Sequence, residues 1–235
     1  MPEVAEKRVS IVLRGSFNPA IVQPWWLVQK DLINETDIET VDLKLIASEF
    51  TQFTVGEKFR LTSSADRFEL ITSLLPFVSI ADIVVRIFKE FLPETPVRSF
   101  GINVHTLLDV GGWQARDRMG RALAPIAPWG DWGAQLPDES PEKNGGMTDL
   151  VMRQTFLEDR ESGYIQARVT PFELHQVKMD VNNHFDFESQ WESKSRLTGN
   201  DAAEIISDRF DDALGQCDYV VRQMLNFAGS VGGSA

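Results

Sequence analysis

The sequence predicts an α+β fold, an antiparallel sheet of about eight strands with helices on one face. Three observations carry this. Several short runs alternate apolar and polar residues with the period of a half-buried strand. Two amphipathic helical stretches follow such runs. The order of elements before residue 96 also recurs, with one longer loop, after residue 97.

Val9, Ile11 and Leu13 alternate with Ser10 and Arg14, which defines a first strand ending at Gly15. Asn18 and Pro19 break it, and Pro24 suits the first turn of a short helix carrying Trp25, Trp26, Leu27, Val28 and Leu32. Three strands follow, around Val41 to Leu45, Phe59 to Leu61 and Phe68 to Leu70. Ser79 reads as the N-cap of a helix whose stripe is Ile80, Ile83, Val84, Ile87, Phe88 and Phe91, and Pro93 and Pro96 end it. The first half is therefore residues 1–96, read as β-α-β-β-β-α.

Val97 to Thr106 opens the second half, 97–227, with Phe100, Ile102 and Val104 on one face and Asn103 and His105 on the other. Trp113 to Leu123 has helical composition, and its Arg116, Arg118 and Arg121 read as a solvated face. Residues 125–147 collect proline, glycine and the run Trp129-Gly130-Asp131-Trp132-Gly133, a long loop. Strands are expected over 149–157, 164–175 with a break at Pro171, and 178–188, then a long helix through Ile205, Phe210, Leu214, Cys217, Val221 and Leu225. Residues 228–235 read as a flexible Gly/Ser tail. The two halves are expected to form one compact unit.

Composition narrows the function. With 43% hydrophobic and 25% charged residues the chain is of ordinary globular type, and one cysteine excludes an internal disulfide. No apolar run spans a membrane or resembles a leader, so a cytoplasmic protein is expected. The net charge of -12 is concentrated after residue 100 and opposes non-specific binding to phosphate backbones. The glycine pairs lack the lysine of a P-loop and the spacing of a dinucleotide fingerprint, so no cofactor is expected.

Two groups of residues stand out. Asp180, His184, Asp186 and Glu188, with Asn182 between them, share one face of a strand, where carboxylates and an imidazole suit a divalent metal or acid/base chemistry. Met179, Val181, Phe185 and Phe187 on the other face make a plain solvated strand the favoured reading. Trp129 and Trp132 lie where a core has less need of them and make good anchors for a protein partner. His105, with Asn103 and Asp109 nearby, lacks a nucleophile in an elbow context, and Cys217 on an apolar stripe reads as inert.

The repeated order β-α-β-β-β-α resembles a TATA-binding-protein-like saddle, which implies a curved sheet built from two related halves. Arg67-Phe68-Glu69-Leu70-Ile71, Ile83 to Phe91, Thr95-Pro96-Val97 and Phe100-Gly101-Ile102-Asn103-Val104-His105 look like a sporadically distributed family of uncharacterised bacterial proteins. That resemblance covers about residues 58–106 and implies a mobile-element or defence setting without implying a catalytic residue. The leading expectation is a non-enzymatic protein-interaction or regulatory accessory protein. The alternatives are a metal-dependent enzyme or nuclease using the 180–188 strand, and nucleic-acid binding on the concave sheet.

Overall fold

The structure, a computed structural model, describes residues 2–136, 138–140, 143–160, 162–187 and 197–232. Alternating side chains give β1 (Glu3–Gly15), followed by α1 (Pro24–Gln29), β2 (Val41–Ile46), β3 (Phe50–Val55), β4 (Phe59–Ser64) and β5 (Arg67–Thr72). Next comes α2 (Val78–Arg86), which runs into a π-helical turn, Ile87–Phe91. The rest is β6 (Val97–Asp109), α3 (Trp113–Leu123), α4 (Gly130–Gly133), β7 (Asp138–Ser140), β8 (Lys143–Asn144), β9 (Leu150–Gln154), β10 (Gly163–Phe172), β11 (Gln176–Asp186) and α5 (Gly199–Gly232).

Nine strands form one antiparallel sheet in the order β2-β3-β4-β5-β1-β6-β11-β10-β9, and β7 pairs with β8 apart from it. The long strands β1 and β6 lie side by side at the centre, in register from Glu3 opposite Asp109 to Gly15 opposite Val97. Each is followed outward by the last strand of its own half, β5 beside β1 and β11 beside β6. The α+β class and the strand number follow the sequence reading.

One face of the sheet is buried. Val9, Ile11 and Leu13 of β1, Phe100, Ile102 and Val104 of β6, and Val177, Met179 and Val181 of β11 join Ile80, Val84, Ile206, Phe210 and Cys217 of the helices in a single core. α5 packs on α2, α3, β6 and β11, so one helix spans the middle of the sheet. No helix among the described residues is long and apolar enough to cross a membrane.

Four local readings need correction. β3 was not legible because its core face is Thr51, Phe53 and Val55; the buried Thr51 hydroxyl is satisfied by donating to Pro19 O at 2.9 Å. Ser79 is not a cap, since α2 begins at Val78 after Phe77 with no side-chain cap. Pro171 stays within β10 because β9 pairs only with Ile165 to Val169, so its missing N–H removes no bond to that neighbour. The helix α5 continues through 228–232, where a tail was expected, because Ala228 is buried and Phe227 and Val231 pack on the core; residues 233–235 lie outside the described residues.

The arginines of α3 are not a solvated face. Arg121 pairs with Asp117 at 2.7 Å, Arg118 donates to Val231 O at 3.2 Å, and Arg116 donates to Glu173 O. They fasten α3 to the end of α5 and to the turn between β10 and β11. A second fastening lies under β11. The fully buried Asn183 accepts from Arg160 Nη1 at 2.6 Å and donates to Gln216 Oε1 at 2.7 Å and Ala213 O at 3.4 Å. Arg160 also pairs with Asp159 at 2.7 Å and lies 3.7 Å from the Phe185 ring centroid. Asn183→Ala strips partners from a buried guanidinium and an amide. It is expected to lower the unfolding free energy by about 3 kcal/mol, seen as a lower denaturant midpoint with an unchanged slope.

Candidate functional site

Because strand side chains alternate, burying Val9, Ile11 and Leu13 turns Arg8, Ser10, Val12 and Arg14 to the opposite face, which no helix among the described residues covers. Register then decides which residues meet there. Across the middle of this open face Tyr164, His184, Gly101, Val12 and Glu69 lie opposite one another on β10, β11, β6, β1 and β5. Gly101 has no side chain, and the result is a recess of about 300 Å³. Asn182, Asn103 and Ser10 line one side of it, and Ser99, Arg14 and Arg67 the other.

Three strands bring together a chain of hydrogen bonds that sequence reasoning missed. His105 Nδ1 hydrogen-bonds to Asp180 Oδ1 at 2.8 Å, and its Nε2 to the Ser10 hydroxyl at 3.1 Å. Asn103 Nδ2 donates to the same Ser10 oxygen at 3.2 Å. The atoms match those of a Ser-His-Asp hydrolase, but two features needed for acyl transfer are missing. Ser10 is 0% exposed, so its oxygen meets no substrate carbonyl. β1 is paired on both sides, which commits the neighbouring backbone amides to the sheet and leaves no oxyanion hole. The chain orders the open face by locking His105 between two strands. Its signal in the sequence was only that Ser10 falls on the polar side of β1.

The residues proposed for a metal are spread out. Asp180 bonds to His105, and His184 stacks on Tyr164 with ring centroids 4.5 Å apart. Residues four apart on a strand stand about 13 Å from each other, too far for Asp180 and His184 to share one ion. Asp186 is one step further along β11, and Glu188 lies outside the described residues. Among the described residues no group of three or more His, Cys, Asp or Glu could hold a metal ion. His105 and Asp109 do not meet either; Asp109 is 3.4 Å from His175.

Electrostatics on the open face are balanced locally. Arg14 and Arg67 are directly opposite each other, a repulsive placement, and each has a counter-ion, Asp66 for Arg14 at 3.0 Å and Glu69 for Arg67 at 3.0 Å. Arg153 sits over the Tyr164 ring at 3.9 Å and donates to Gln166, extending the stack to Arg153, Tyr164 and His184. Burial holds His184 below the ordinary histidine value of 6.5, against the pull of Asp186, so the neutral ring is favoured.

Apolar groups in solvent mark a different part of the surface. Trp129 and Trp132, in the 3₁₀ turn and α4 within the expected loop, are 62% and 58% exposed, with ring centroids 5.4 Å apart. Both outermost strands also carry exposed apolar side chains: Leu43, Leu45 and Ile46 on β2, and Val151 and Met152 on β9, with Phe156 just beyond at 80% exposure. Cys217 is buried and its thiol is pushed up to about 12 by burial, which makes it inert.

Two measurements check these assignments. Iodoacetamide at mildly alkaline pH is expected to leave Cys217 unmodified in the native protein and to alkylate it in denaturant. For His184, the folded pKa is depressed, so its contribution to stability is intact above 6.5 and falls as pH drops below that value, where the unfolded chain takes up the proton first. Denaturation curves at pH 7.5 and 5.5 should differ less in His184→Gln than in the wild type. No protein-family model matches the chain and no curated protein matches it, so function is read from the arrangement of its own side chains.

Proposed function

We propose that the chain is a protein-interaction module that binds a partner through its sheet and the Trp129/Trp132 pair, without catalysis of its own. The observation that carries this is where the exposed apolar side chains lie. One set lies on the outermost strands of the nine-stranded sheet, β2 and β9, and on a paired-tryptophan turn, while others, such as Trp25, Leu75 and Leu174, are scattered elsewhere. An edge strand offers unpaired backbone groups to an added strand, and its apolar side chains supply the accompanying burial. On β9 the one charged residue, Arg153, is drawn onto Tyr164 and Gln166, leaving Val151 and Met152 in solvent.

Competing readings find less support. A catalytic centre would need an accessible nucleophile beside His105, and a metal enzyme would need ligands closer together than Asp180 and His184. A nucleic-acid strand on the open face would have to displace the carboxylates paired with Arg8, Arg14, Arg67 and Arg168. A regulatory accessory role in a defence or mobile-element setting agrees with a module that contributes contacts and no chemistry.

Affinity purification of the tagged chain from its native host tests the proposal. A stoichiometric protein is expected with the wild type and at least tenfold less of it with Met152→Lys or with Trp129→Ala/Trp132→Ala, variants whose altered side chains are exposed. A wild-type chain that purifies alone sinks the proposal. Full retention by both variants removes the β9 edge and the tryptophan pair as the contacts.

A further inference from the structure

The two ends of the sheet are not equivalent. In β2 the pairing with β3 shifts by one residue between Leu43 and Leu45, which bends that edge and blocks a regular strand beside it. β9 has no such irregularity. It pairs with β10 in unbroken register from Leu150 opposite Val169 to Gln154 opposite Ile165, and it holds no proline. Among the described residues no other strand pairs with its outer side. Its register turns Leu150 and Met152 to the helix face, opposite Val169 and Ala167, and Val151 and Arg153 to the open face, opposite Arg168 and Gln166. Asp149, one residue before the strand, joins that open face, since its carboxylate accepts from the Thr170 hydroxyl at 3.0 Å and pairs with Arg168 at 3.4 Å.

This edge is complementary to itself. Reversing the strand about Val151 exchanges Asp149 with Arg153 and Leu150 with Met152. Two copies of Asp149-Leu150-Val151-Met152-Arg153, laid antiparallel about a twofold axis at Val151, therefore set each Asp149 directly opposite the second copy's Arg153, a favourable cross-strand pair. Leu150 meets Met152 on the helix face, and Val151 meets its own copy between the two ion pairs on the open face. The same pairing covers Met152, 66% exposed, and Val151, 42% exposed. An axis at Met152 loses the match, since Arg153 then faces Val151 and Asp149 faces Thr155. Both charged groups keep capacity for the contact. Asp149 uses two of about four acceptor sites, and Arg153 gives two of its five N–H donors to Gln166. The net charge of -12 on each copy opposes approach, but salt screens it beyond about 8 Å, whereas the edge contacts lie within that distance.

We propose that β9 pairs with β9 of a second copy of this chain, antiparallel about Val151, to form a closed dimer with one continuous sheet. Only one edge of each copy accepts a regular strand, so assembly stops at two. The proposal rests on the reading of β9 as a contact edge, names what fills it, and leaves the tryptophan turn to a different protein. Five residues a side make a small contact, so a dissociation constant of about 10 µM is expected.

The test is sedimentation equilibrium of the purified chain at physiological salt. Between about 1 and about 100 µM the mass is expected to rise from the 26.5 kDa of one chain towards twice that value. Asp149→Arg alone sets two arginines against each other at both ends of the pairing, and Arg153→Asp alone sets two aspartates there. Each is expected to weaken the dimer at least tenfold. Mixed in equal amounts, the two variants oppose arginine to aspartate at both ends and should form a mixed dimer of near wild-type affinity, which also shows that both are folded. A wild-type chain that stays a monomer up to about 100 µM, a dimer that both single variants retain, a mixture that stays monomeric, or assemblies larger than two overturn the proposal. If the chain is a monomer while another host protein co-purifies through Met152, only the second-copy assignment falls; if nothing co-purifies either, the interaction reading falls with it.

Discussion

The antiparallel pairing of β1 with β6 is the constraint on which the rest of the molecule depends. These strands are the longest in the sheet, and their register runs almost from end to end. A slip of one residue would turn Val9, Ile11 and Leu13 to solvent and Ser10, Val12 and Arg14 into the core. Burial therefore selects this register, and every other strand takes its position from it. β5 joins β1 on one side and β11 joins β6 on the other, so residues between 53 (Arg14 and Arg67) and 87 (Ser99 and Asp186) positions apart become neighbours.

Two different surfaces follow from that one pairing. The face holding Phe100, Ile102 and Val104 is closed by α2 and α5, and buried polar groups beneath it, such as Asn183, are bound into networks with Arg160 and Gln216. The other face is left to side chains that must satisfy one another laterally. Ser10, His105 and Asp180 do so across three strands, and Arg14, Arg67, Asp66 and Glu69 do so as ion pairs. Over Gly101 the Asn182 amide oxygen is buried without a donor, as are the Ser63 and Thr106 hydroxyl oxygens on the core face. The resemblance of Ser10, His105 and Asp180 to a hydrolytic triad is a useful warning. Matching atoms and distances are insufficient for catalysis when the hydroxyl is sealed and the sheet has taken the amides an oxyanion would use.

The acidic net charge gave a coarse picture of the surface. It opposes binding to a phosphate backbone in general, but it says nothing of the open face, where arginines balance in pairs with carboxylates two residues away on the same strand, Arg8 with Glu6 and Arg67 with Glu69, or in a neighbouring turn, Arg14 with Asp66. The exposed Trp129 and Trp132 were legible as a local excess of aromatics in a loop. The exposed residues of β2 and β9 were not, because edge and centre strands share the same alternation; only the order of strands distinguishes Met152 in solvent from Met179 in the core.

The sequence by itself determined the fold class, the strands and helices with regular apolar periodicity, the end of the second helix before Pro93, and the inert environment of Cys217. Each depends on neighbours within a few positions, which the order of residues states directly. It lost β3 because Thr51 breaks the apolar pattern, and it lost the end of α5 because glycine and serine there are outweighed by packing of Phe227, Ala228 and Val231. The tertiary structure alone decided that His105 meets Ser10 and Asp180, that His184 turns to Tyr164 and away from a shared metal, and that Gly101 opens a recess between Asn182 and the arginine pair. Those contacts arise from register between strands far apart in the chain, and register is set by the burial of the opposite face.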